Sequence, residues 1–155
     1  MSVSAALTKL GIDLGKVVPP AGVYIPAKVH ADLVYTAGQL PFVDGTLSTL
    51  GKVGDDEGLV DPALAKDLAR ISALNAIVAA AAAVGDADRL TGVLKVTGFV
   101  ASAPGFTGQP GVINGASELF GEIFGETGAH ARSAVGVAVL PLDSPVEVEA
   151  VFTIG

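Results

Sequence analysis

The chain has 155 residues, 50% hydrophobic and 16% charged, which fits one globular domain with a sizeable core and excludes a disordered chain. A net charge of −7 and nine scattered Lys and Arg residues exclude the clustered basic surface that general nucleic-acid affinity needs. With no cysteine, disulfides, thiolate metal sites and thiol nucleophiles are excluded as well.

From the N-terminus, Ser2 to Ile12 carries Leu7, Leu10 and neighbouring apolar positions at helical spacing, which predicts a short helix. Residues 15–20 read as a connector. Val23 to Val29 and Leu33 to Ala37 read as two strands joined by a turn near His30-Ala31-Asp32. Phe42 to Gly58, punctuated by Asp44-Gly45, Gly51, Gly54 and Gly58, predicts a surface loop with a short edge strand.

Asp61-Pro62 predicts a helix start, because the Asp oxygen can accept from orphan N–H groups and Pro sits where no N–H is needed. The helix should reach Val84, with Leu64, Leu68, Ile71, Leu74 and Val78 on one face and Gly85 as its cap. Leu90 to Ala101 reads as a strand, Ala103 to Pro110 as a loop and Val112 to Gly125 as a second amphipathic helix. The last two strands are expected over Ala131 to Leu140 and Val146 to Ile154. The order is ββαβαββ in a single domain, an α+β arrangement with two helices on one face of a mixed sheet.

The uncharged apolar run from Ile71 to Gly85 falls short of the roughly 20 residues a membrane span needs, so no membrane association is expected. Met1-Ser2-Val3-Ser4 lacks a basic start and a continuous apolar core, which makes a cytoplasmic protein the expectation. A mean hydropathy of +0.60, with six Phe, two Tyr and no Trp, leaves surplus apolar surface and few large anchors. Such a surplus predicts a homo-oligomer.

The segment from His130 to Ala150 carries most of the chemistry. Arg132 stands at the mouth of an apolar strand, a Leu140-Pro141 turn follows, and Glu147 and Glu149 lie on one face of the last strand. An arginine there can close a surface ion pair or bind a carboxylate with its planar fork. Carboxylates in a sheet ask for a partner or a ligand. For Glu149 the solvated face or a polar subunit channel is the preferred reading. If Leu140 pairs with Pro145, Glu147 lies opposite Ala138, six residues from Arg132 and roughly 20 Å away along the sheet. One chain could not then bring both to one small molecule. His30 and His130 are the only histidines, and they lack the spacing of a metal site; His130, two residues before Arg132, can line a site there, with an exposed residue at the strand entry as the preferred reading.

Taken with Gly38-Gln39-Leu40-Pro41, the segment resembles the RidA/YjgF family, the reactive-intermediate deaminases also labelled endoribonuclease L-PSP. The likeness is strongest over Ala131 to Ala150 and moderate over Val34 to Pro41. Residues 1–20 and Val43 to Gly58 exceed the short members, which marks a longer branch. The resemblance implies a chorismate-mutase-like fold that assembles as a trimer around a central barrel. It implies a hydrolase that converts 2-imino or enamine acids to 2-keto acids and ammonia without metal or organic cofactor. Arg132 would hold the substrate carboxylate and Glu147 would position or activate water. Tyr24 would line the site, where a half-buried aromatic at a strand start is the other reading, and Gly38 would offer backbone groups; Asn114 corresponds to the family's asparagine at the start of the second helix, where plain capping is the other reading. Ala134 could contribute only its backbone. Val23 and Ala37 replace the usual Pro and Ser, which favours the alternative of a non-catalytic trimer that binds small carboxylates such as 2-keto acids. The acidic charge opposes the ribonuclease or translation-inhibitor label.

Overall fold

In the computed structural model, which describes residues 1–14 and 22–155, the longest helix begins where Asp61-Pro62 predicts it. Asp61 Oδ1 accepts from the N–H groups of Ala63 at 2.8 Å and Leu64 at 3.4 Å. This helix, α2 (Pro62–Val84), stops at Gly85, whose φ of +83° closes the last turn with its N–H on Ala81 O. A shorter helix, α1 (Val3–Lys9), precedes it and sends Val3, Ala6 and Leu7 into the core. Ser4 ties α1 down by donating from its N–H and its hydroxyl to Asp88, at 2.7 and 2.8 Å. The connector expected over residues 15–20 lies outside the described residues.

Five strands form one sheet: β1 (Ala27–His30), β2 (Leu33–Thr36), β3 (Leu90–Ala101), β4 (Ala131–Val137) and β5 (Val146–Ile154). The second long helix, α3 (Gln109–Phe124), links β3 to β4. It starts three residues before the expected Val112, because Gln109-Pro110 fits a first turn, where proline's missing N–H costs nothing. The strand expected over Val23 to Val29 is shorter and later, and β4 ends at Val137 rather than Leu140. Between Phe42 and Gly58 only isolated bridges form, Val43 with Thr46 and Val53 with Val60 and Ser102, so the expected edge strand is absent among the described residues.

The element order agrees with expectation, but the pairing does not. The strands run β1-β2-β5-β3-β4, with β3 parallel to β4 and antiparallel to β5. Thus β4 and β5 are not a hairpin, and Glu147 faces Phe99 rather than Ala138. The link between them crosses over β3 through a tight turn at Pro141–Asp143, where Leu142 and Asp143 take φ of +57° and +58°. The sheet is open, with β1 and β4 as free edges. The barrel expected from the resemblance is therefore not formed, because nothing among the described residues pairs those two edges.

Helices α2 and α3 cover one face only. From Val96 onward in β3 and from Val146 to Phe152 in β5 the even-numbered residues, such as Val96, Val100, Val146, Val148 and Phe152, are buried under them. Phe120 of α3 meets Phe152 edge-on at 5.6 Å. Although α2 is long and apolar enough to span a bilayer by composition alone, just over half of its most apolar stretch (56%) is buried inside this fold. Its polar side pairs with α3 through Lys66–Glu118 and Arg70–Glu122. It is a core helix.

Candidate functional site

Parallel pairing of β3 with β4 puts Arg132 opposite Val96, on the helix-covered face and at the open edge of the sheet. Its guanidinium reaches α3. Nη1 donates to Asn114 Oδ1 at 2.8 Å and to Ser117 Oγ at 3.1 Å, while Nη2 donates to Pro110 O at 3.2 Å. Positions 110, 114 and 117 are spaced four and three apart, so they form one stripe on α3 aimed at β4. Asn114 lies one turn inside the helix and is not a cap, so the capping reading is wrong. All three acceptors are neutral. Among the described residues Arg132 makes no ion pair, which removes the surface ion-pair reading. Among the described residues three of the five guanidinium N–H groups are used, leaving Nε–H and one Nη2–H.

Ser117 is not among the residues singled out from the sequence, and His130 departs from the preferred reading of an exposed strand-entry residue. His130 is half-buried, places Nδ1 2.6 Å from Gly128 O and Nε2 2.9 Å from Ser117 Oγ, and meets Phe120 edge-on at 5.8 Å. The polar pair Asn114 and Ser117, three positions apart on α3, was the available signal. It is masked by the stronger apolar periodicity of Val112, Ile113, Ala116, Leu119 and Phe120.

A second cluster forms at the start of β5. Gln39 bridges to Val148 with reciprocal backbone bonds of 2.8 and 3.0 Å, which lays Gly38 against Glu147. A Cβ on Gly38 would fall on Glu147 Oε1 and lie 2.7 Å from Cδ. The loop beyond is fixed to α2 by Asn75 Nδ2, which donates to Leu40 O and Phe42 O at 2.9 and 3.1 Å. Burial raises the Glu147 pKa above the ordinary carboxylate range, and the neighbouring Glu149 charge raises it further. Tyr24 leaves the sheet at this same end, two residues before Pro26, whose carbonyl accepts from Ala37 N–H at 2.8 Å. Its side chain is about half exposed.

The structure brings Arg132 to Asn114 and Glu147 to Gly38, but it keeps the two pairs apart. Val96, level with Arg132, and Phe99, level with Glu147, are three residues apart on β3, with β4 on one side and β5 on the other. That places the two Cα atoms roughly 14 Å apart, less than the hairpin register implied. They also point to opposite faces. Ala134 shares the Arg132 face, opposite Gly98. Glu149 instead lines a shallow cavity of about 120 Å³ on the helix-free face, with Tyr35, Thr36, Lys95 and Thr97. No group of three His, Asp or Glu converges as metal ligands among the described residues.

The family model described as "YjgF/chorismate_mutase-like, putative endoribonuclease" matches residues 4–153. Protein TCP17 of Trypanosoma cruzi is 41% identical over 149 residues, which cover 96% of this chain and 91% of that protein. The crystal structure of Atu1372 from Agrobacterium tumefaciens, a protein of unknown function, superposes with a TM-score of 0.86 at 41% identity, covering 99% of this chain and 94% of the other. RidA from an Antarctic Psychrobacter superposes with a TM-score of 0.60 at 29% identity, covering 90% and 94% of the two chains.

Proposed function

The chain belongs to the YjgF/chorismate mutase-like family, and from that membership we propose that it hydrolyses 2-imino or enamine acids to 2-keto acids and ammonia in clefts shared between copies of itself. The observation that carries this reading is Arg132: a guanidinium fixed by three neutral acceptors, with its charge uncompensated and two N–H groups left to donate among the described residues. A small carboxylate supplies the missing charge and can accept both bonds in a fork.

Water adds to the imine carbon, and the C–N bond then breaks as ammonia leaves; the two water protons end on nitrogen and the oxygen becomes the keto oxygen. Glu147 serves this step by holding water and passing protons, a role that suits a carboxyl held above its usual pKa. The imine is already electrophilic, so positioning supplies much of the acceleration. Ala134 and Gly38 leave room and backbone groups beside these two side chains, and the resemblance assigns Tyr24 to the wall of the cleft.

Arg132 and Glu147 act on one molecule only if they come from different copies, since within a chain they occupy opposite faces. The helix-free face offers Tyr35, Phe99, Val135 and Val151, with Tyr35 and Val135 more than 40% exposed, as the surface for association. Three copies are the stoichiometry the resemblance implies. The acidic chain speaks against the ribonuclease label.

The test is hydrolysis of an imine released in situ by an amino-acid oxidase, comparing the parent with Arg132→Ala. Loss of turnover in the variant is expected; equal rates remove Arg132 from the reaction. Binding of 2-oxobutyrate by calorimetry without imine turnover selects the non-catalytic carboxylate-binding alternative.

A further inference from the structure

We propose that His130 and Ser117 are positioning residues that orient the Arg132 guanidinium toward the substrate carboxylate; this deepens the reading of the site given above and rests on it. Hydrogen-bond directions carry the argument. Gly128 O can only accept, so the 2.6 Å contact requires a proton on His130 Nδ1. In the neutral ring Nε2 is then a bare acceptor, and the 2.9 Å contact with Ser117 takes the serine hydroxyl proton. With that proton committed, the oxygen of Ser117 turns its lone pairs outward, and one of them receives Arg132 Nη1–H at 3.1 Å. The chain is directional from end to end: Arg132 to Ser117 to His130 to Gly128 O. Each bond polarises the next, so the serine oxygen is a better acceptor than an isolated hydroxyl.

The consequence lies at the far side of the guanidinium. Nη1 is held by Ser117 and Asn114 together, which fixes the plane of the group and therefore the aim of the Nε–H and Nη2–H that remain. A serine released from His130 can instead bond back to the carbonyl four residues earlier in α3, a common local alternative for helical serines. Its lone pairs then no longer point at Arg132. Phe120, edge-on to the imidazole at 5.8 Å, packs the ring in place. No carboxylate takes part, so the arrangement orients Arg132 without neutralising it.

The experiment combines two readouts on parent, His130→Ala, His130→Gln, Ser117→Ala and Ser117→Thr. The first is imine hydrolysis with 2-oxobutyrate binding alongside. His130→Ala and Ser117→Ala are expected to raise KM and weaken keto-acid binding roughly three- to ten-fold, with kcat nearly unchanged. His130→Gln, which keeps an acceptor at similar reach, and Ser117→Thr, which keeps the hydroxyl, are expected to recover most of the loss. The second is nitrogen NMR of the His130 ring and the Arg132 guanidinium, which needs no activity. The parent is expected to show the Nδ1–H tautomer and a distinct Arg132 Nη1 signal that averages with Nη2 in His130→Ala. An Nε2–H tautomer, or His130→Ala with KM, binding and the Nη1 signal all unchanged, overturns the proposal. If the parent neither turns over nor binds, the imine reading fails on its own, and the tautomer and Nη1 signals still decide the positioning roles.

Discussion

Gly38 leaves the space that the Glu147 carboxyl occupies: any side chain at 38 would coincide with Glu147 Oε1. The obstructed atoms are the far end of a flexible side chain, so a methyl there should displace the carboxyl and spare the fold. Gly38→Ala is expected to keep its stability within about 1 kcal/mol while kcat falls roughly 10- to 100-fold. Thermal unfolding beside steady-state imine hydrolysis checks both halves; a kcat equal to the parent's separates Glu147 from the chemistry.

The raised pKa of Glu147 has a definite sign in stability. The folded state binds its proton more tightly than the unfolded state does, so this group's contribution is fully present below the unfolded pKa and is lost as pH rises through the higher folded value. Glu147→Gln should therefore be more stable than the parent at neutral pH, and that advantage should vanish in acid. Denaturant unfolding across the acidic-to-neutral range reads this directly. Glu149→Gln removes the second cause of the shift, so any rate limb governed by Glu147 should move to lower pH.

Arg132→Lys keeps the charge and loses the fork. A lysine cannot satisfy Asn114, Ser117 and Pro110 while presenting two parallel donors to a ligand. KM for the imine is expected to rise roughly 10- to 100-fold, and Asn114→Ala, which removes one anchor only, should raise it less. Parallel keto-acid titrations check that the loss lies in binding.

Stability should depend on a different glycine. Gly115 lets α3 approach the backbone of α2: a Cβ there would strike Lys66 O and sit 2.9 Å from its carbonyl carbon. Backbone inside a long helix cannot move aside as Glu147 can. Gly115→Ala is expected to cost about 1–3 kcal/mol, measured as a shift of the denaturation midpoint with an unchanged slope.

What the sequence made legible was local. Asp61-Pro62 and Gly85 bound α2 because capping chemistry acts within a turn, and the alternation of Val146 to Phe152 sorts β5 into two faces because side chains alternate. Strand pairing is not local. Consecutive strands usually neighbour each other, yet here β3 sits between β4 and β5, and nothing in Leu140 to Pro145 announces a link that crosses a third strand. The same limit hid the opposed faces of Arg132 and Glu147 and the meeting of Ser117 with His130, thirteen positions apart. Arg132, Asn114, Glu147 and Gly38 could be named from their resemblance to the family's motifs; which of them touch could not.

We propose that one active cleft takes Arg132 from one copy and Glu147 from another. Subunit mixing tests this: Arg132→Ala and Glu147→Gln, each expected to be inactive alone, are unfolded together and refolded at equal ratio so that the chains assemble at random. In a cyclic assembly with shared clefts, about one quarter of the clefts regain both natural residues. Imine hydrolysis is therefore expected to recover to about a quarter of the parent rate. If the mixture stays as inactive as the two variants apart, the shared cleft is contradicted.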